Sequence, residues 1–177
     1  MHRLASVCVV LACVVLACSS GKGTGEATLM GPTISTKSVT ASSFDGSDGS
    51  GAMVRGWRLD FFEAGPGADC TDGGLKVSAT IGIFTTMASD KGMVASLPAP
   101  AEIPIVQMAP PSVQGQAAAN MGAEGVGGIM GSLNLDTFHL NAQAKPDELD
   151  GSISAAGTDG TGTAVNITGT FMAPVCD

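Results

Sequence analysis

Between Leu75 and Phe84 the chain alternates with period two. Leu75, Val77, Ala79, Ile81 and Ile83 fall on one side, and Lys76, Ser78, Thr80 and Gly82 fall on the other. Successive side chains of an extended strand point to opposite faces. The stretch therefore offers one face to a core and one to water, the pattern of a sheet solvated on one side. Three further segments repeat it. Trp57, Leu59 and Phe61 oppose Arg58 and Asp60, so residues 57–62 read as a strand with Trp57 as a core residue. Leu149, Gly151, Ile153 and Ala155 oppose Asp150, Ser152 and Ser154. Val165, Ile167, Gly169, Phe171 and Ala173 oppose Asn166, Thr168 and Thr170. The last two runs flank GTDGTG at 157–162, so they predict a C-terminal hairpin.

The weaker segments extend the same architecture. TISTKSVTASSF at 33–44 is rich in β-branched and hydroxyl residues and reads as a strand, and DGSDGSG at 45–51 reads as a turn. Residues 63–74 form a Gly-rich loop that carries Cys70. Leu97-Pro98-Ala99-Pro100 is an extended connection. Ile103 to Met108 contains Pro104, which cannot donate to a ladder and so marks an edge strand. Ile129, Leu133 and Leu135 point inward, but the next apolar pair, Phe138 and Leu140, is out of phase, which predicts a bulge or bend near Asp136-Thr137. Lys145-Pro146-Asp147-Glu148 is turn chemistry. The expected fold is all-β, a single domain built as an antiparallel β-sandwich or barrel. An α+β alternative would turn Gln116 to Met121 into a short helix.

The N-terminus sets a different constraint. His2 and Arg3 precede an apolar run from Ala5 to Ala17 that stops at Cys18, followed by SSGKGTGE. The run is shorter than the roughly 20 residues a transmembrane helix needs, and it has the flanks of a secretory signal peptide. Its end, Val15-Leu16-Ala17-Cys18, resembles the lipobox of bacterial lipoproteins. That resemblance implies cleavage before Cys18 and a lipid on its sulfur. A second match, Val10-Leu11-Ala12-Cys13, would leave apolar residues on the mature end, so Cys18 is preferred. Cys8 and Cys13 then leave with the peptide. The expected organisation is signal peptide 1–17, lipidated Cys18 and flexible tether 18–27, and β domain 28–177.

Removing the first 17 of 177 residues leaves 160, enough for one domain with a sizeable core. Arg3 goes with them, so seven Lys and Arg face sixteen Asp and Glu, a net charge of −9. The absence of a basic patch argues against nucleic acid as a partner. Export places the domain in an oxidising compartment. With Cys18 lipidated, only Cys70 and Cys176 remain, only one pairing is possible, and a disulfide between them is expected.

Motifs for chemistry are sparse. His139 in FHL is the one histidine of the mature chain, so a Ser-His-acid triad would need it; its apolar neighbours favour a structural role. Gly125-Val126-Gly127-Gly128-Ile129-Met130 has Met where a dinucleotide fingerprint needs Gly and precedes a strand. Asp45 and Asp48, or Asp69 and Asp72, offer hard oxygen donors of the kind calcium takes, without the EF-hand spacing. Neither a metal nor a cofactor is therefore expected. Asn166-Ile167-Thr168 matches a glycosylation triplet that a bacterial signal makes irrelevant.

WRLDFFEAGPGADC followed by an alternating strand, and the terminal AVNITGTFMAPVC, are similar to small β-rich lipoproteins of Gram-negative bacteria. The resemblance implies an envelope location and supplies no activity. The expected role is a non-enzymatic, membrane-anchored structural or interaction module, with the membrane as partner through the lipid. Ser19 after the Cys resembles an outer-membrane sorting pattern. The alternative is a binding protein that holds a small apolar ligand in a pocket lined by Trp57, Phe61 and methionines.

Overall fold

The computed structural model describes residues 25–28, 30–31, 34–47, 53–63, 70, 77–87, 97–107, 115–120, 127–143, 145–159 and 161–176. They form a mixed but mainly antiparallel sheet, nearly closed into a barrel. The strands are β1 (Glu26–Ala27), β2 (Met30–Gly31), β3 (Ile34–Ser35), β4 (Ser38–Ser47), β5 (Met53–Phe62), β6 (Val77–Met87), β7 (Ala101–Ile105), β8 (Gln116–Asn120), β9 (Gly127–Leu140), β10 (Pro146–Thr158) and β11 (Ala164–Pro174). Their order across the sheet is β3-β2-β11-β10-β9-β7-β8-β6-β5-β4, with β1 also lying along β11. The fold is all-β, as the alternation requires. Of the two expected architectures, the strands build the barrel.

The inward-facing positions fill the lumen. Trp57, Leu59 and Phe61 of β5 are fully buried, as are Ile81 and Ile83 of β6, Leu133 of β9, Leu149 of β10 and Ile167 of β11. Each such side chain contributes roughly 1.5–3 kcal/mol by leaving water. Two aromatic pairs reach across from β5 to the opposite wall. Trp57 meets Phe138 of β9 edge-to-face at 5.6 Å, and Phe61 meets Phe171 of β11 at 6.1 Å. These are the tilted geometries that ring quadrupoles prefer. On the outside, Phe44 of β4 and Phe84 of β6 meet at 5.7 Å over Gly56 of β5. Any Cβ at Gly56 would strike the Ile83 carbonyl and meet the Phe44 ring at 2.8 Å.

The expected C-terminal hairpin is present. β10 and β11 pair without a break from Glu148↔Pro174 to Thr158↔Ala164. Its turn is built by Asp159, whose side chain accepts from the Thr161 amide, the Thr161 hydroxyl and the Thr163 amide. Gly162 supplies the positive φ of 85° that this turn requires. The bulge expected near Asp136 is also present. Asp150 pairs with Thr137 and Gly151 with Leu135, so Asp136 is the extra residue. The Thr137 hydroxyl donates to Asp150 at 2.8 Å and pins the kink.

Several expectations fail, each for a physical reason. Gln116 to Asn120 is the strand β8 and not a helical turn, because pairing with β6 from Thr80↔Asn120 to Phe84↔Gln116 outweighs local propensity. Asp45 belongs to β4, which runs on to Ser47; residues 48–51 of the expected turn lie outside the described residues. The turn placed at 145–148 sits at 141–145, where the Asn141 side chain accepts from the Gln143 and Lys145 amides. The alternation puts Val77 on the inner face, but at the register shift between Phe61↔Ala79 and Phe62↔Val77 Ser78 is buried and Val77 is exposed. Asp60 was assigned to water, yet it is buried on the outer face between Thr40 and Thr80. Pro104 is not on an edge strand: β7 lies between β9 and β8. Its one ladder pair with β8 is Ile105↔Ala117, which leaves the Pro104 position of that flank without a ladder to interrupt.

Candidate functional site

The sheet comes closest to closure where the two ends of the described chain meet. The outer edge of β4 contacts the end of β11 through a parallel bridge, Ala41↔Val175, and the Cys176 amide donates to the Ala41 carbonyl at 2.7 Å. β1 lies in the same seam. Glu26 and Ala27 pair with Met172 and Phe171 on one side, and the Ala27 amide donates to the Lys37 carbonyl on the other. The Thr28 and Thr170 hydroxyls are 3.0 Å apart and lock β1 to β11. Residues 25–27, assigned above to the flexible tether, are thus part of the barrel wall. Five residues of mixed character, Glu26 to Met30, give no periodicity from which this could be read.

Cys70 and Cys176 are bonded, with Cα atoms 5.0 Å apart, within the range the bond requires. The bridge joins the segment after β5 to the residue that follows the seam. Cys18 and residues 1–17, read above as a signal peptide, lie outside the described residues, as do Asp48, Asp69 and Asp72.

Beside the seam is an open groove of about 450 Å³ with a mostly apolar surface. Glu26, Ala27, Thr28 and Met30 line it together with Ser35, Thr36 and Lys37. Met30 is 65% exposed, the most exposed large apolar residue described. Sequence reasoning missed this groove because it placed residues 18–27 in a tether.

Three ion pairs lie on the outer surface of the described strands. The Arg55 guanidinium donates to both oxygens of Asp45, at 2.6 and 2.9 Å, and holds that carboxyl below its ordinary range. Asp45, one of the calcium candidates, is thereby engaged. Asp60 accepts from Arg58 Nε and from the Thr80 hydroxyl, each at 2.7 Å, a cluster the sequence did not signal. His139 Nδ1 donates to Asp147 at 2.5 Å on an open surface, and this hydrogen bond, then the carboxylate's charge, raises the imidazole pKa. Burial, and then the neighbouring Asp150, raise the Glu148 pKa. Among the described residues His139 has Asp147, and no serine, as its hydrogen-bond partner. Among the described residues no three His, Cys, Asp or Glu side chains converge as a metal would need. No helix among them is long and apolar enough to cross a membrane. Comparison of the chain with protein-family models, curated proteins and solved structures returns no match.

Proposed function

We propose that the protein is a non-enzymatic lipoprotein of the bacterial envelope, held in the outer membrane through Cys18, whose barrel serves as a structural or interaction module. The packing of the described core residues supports this reading over the alternative of a lumenal ligand pocket. Trp57 and Phe61 are the residues that would line such a pocket, and both are fully buried against Phe138 and Phe171. A small apolar ligand would have to displace packed aromatic side chains. The single mature histidine is spent in an exposed pair with Asp147, which supports the non-enzymatic part.

The anchor is tested at Cys18. Each buried methylene of a lipid contributes about 0.8 kcal/mol, and stable attachment takes more than one chain. Wild-type protein is expected to partition with membranes and to carry acyl mass on Cys18, and Cys18→Ser is expected to release or mislocalise it. A Cys18→Ser variant that stays firmly membrane-bound would overturn the reading.

A further inference from the structure

We propose that the groove between β1 and β3, together with Met30 and Met172, is the face of the barrel that rests on the lipid surface, with the boundary between headgroups and acyl chains as its occupant. This deepens the anchoring reading and rests on it.

Chain length gives the first argument. From Cys18 to Gly25 the chain takes seven residue-to-residue steps, each spanning at most 3.3–3.6 Å, so the first residue of the barrel wall lies within about 25 Å of Cys18. Gly25 leads directly into β1, so the leash attaches at the seam. The barrel's nearest side is therefore the one built from β1, β2 and β11.

The second argument is what that side displays. Met30 of β2 is opposite Thr168 of β11, and Met172 of β11 is opposite Glu26 of β1. The Thr28–Thr170 hydroxyl pair lies between them. Both methionines are exposed, at 65% and 39%, on the wall nearest the leash. An unbranched thioether adapts to an irregular apolar surface at little cost. The groove adds a concave apolar surface beside Met30. Its two charged lining residues, Glu26 and Lys37, have opposite signs, and the Lys37 stem can lie along the interface while its ammonium reaches the headgroups. Short tethering holds this face at high effective concentration near the bilayer, so weak contacts suffice to orient it.

The molecule carries its own control. Met130 of β9 is 58% exposed, but it pairs with Ala156 of β10, which pairs in turn with Asn166 of β11. Met130 thus lies two strands away from the leash-bearing wall.

Full-length acylated protein carrying Met30→Cys, Met172→Cys or Met130→Cys would be labelled with a small fluorophore. It would be reconstituted into vesicles of phosphatidylethanolamine and phosphatidylglycerol, some bearing a lipid-borne quencher. Mass spectrometry reports acylation of Cys18 in the same samples. The expected result is quenching several-fold stronger at positions 30 and 172 than at position 130. Equal quenching at all three, in protein shown to be acylated, would overturn the assignment of the face and leave the anchor standing. Probes at 30 and 172 shielded from aqueous iodide but untouched by the lipid quencher would mean a second copy covers the face, and would also overturn it. Absence of acyl mass on Cys18 would remove the anchoring reading first and this inference with it.

Discussion

The wall formed by β9, β10 and β11 and the seam between β4 and β11 close the same barrel by opposite means. The wall is a local product. Its strands follow one another in the chain, its turns are short, and the β10–β11 ladder is unbroken. The seam joins residues from opposite ends of the domain, Ala41 and Val175, by one parallel bridge and the Cys176 amide. Joining distant segments must overcome loop-closure entropy that a hairpin largely avoids. The chain meets that cost with two devices outside the ladder itself, the β1 insert and the Cys70–Cys176 bond, whose cysteines are 106 residues apart. A barrel can thus be strong in its sheet and still depend on a clasp at its closure.

The largest expected effect follows from that clasp. Chain-entropy reasoning assigns about 4.7 kcal/mol to a crosslink closing a loop of about 100 residues. The double variant Cys70→Ala with Cys176→Ala is expected to lose up to that amount in denaturant unfolding. In hydrogen exchange, the added opening should appear at the Ala27 and Cys176 amides and spare the centre of β10. Uniformly faster exchange across β10 would break the comparison. On the wall, Leu133→Ala removes a fully buried side chain and is expected to cost about 2–5 kcal/mol, with opening distributed through β9 and β10. A smaller test falls on the insert. Thr28→Val deletes the hydroxyl contact with Thr170 and is expected to cost about 0.5–1.5 kcal/mol, together with faster exchange at the Ala27 amide. No change there would remove β1 from the closure.

The same division decided what the sequence revealed. Alternation at 149–155 and 163–173 placed the hairpin strands, and the phase change after Leu135 placed a bulge or bend near Asp136-Thr137, because both signals are local. Trp57 was legible as core from its period-two neighbours. The bond between Cys70 and Cys176 was legible by elimination. β8 was not legible, since QAAAN carries no strand signal and is extended only because β6 lies beside it. β1 and its groove were not legible for the same reason: Glu26 and Ala27 are strand only through partners at 171–172. The burial of Asp60 depends on Thr40 and Thr80 of neighbouring strands, which no local pattern shows.

The smallest effects belong to the two ends of the wall, and they carry opposite pH signs. At one end, His139 donates to Asp147, and its pKa is raised above the ordinary 6.5. A group whose folded pKa is raised stabilises fully below its unfolded value and loses that contribution as pH rises through the folded value. The β9–β10 end should therefore be firmest below about pH 6.5 and loosen above it. At the other end, Asp159 is held below 3.8 by the Thr161 hydroxyl and the Thr163 amide. Its contribution is present above 3.8 and is lost as pH falls through the lower folded value. Titration of the His139 ring protons by NMR should give a midpoint above that of the Asp147→Asn variant. Exchange at the Asn141 amide, next to His139, should rise toward alkaline pH beyond the intrinsic rate in wild type but not in Asp147→Asn. Because both groups are solvent-exposed, the shift in global stability should be small. An equal His139 midpoint in the two proteins would show that the pair does not hold this end, and would leave the Asn141 turn to close the hairpin alone.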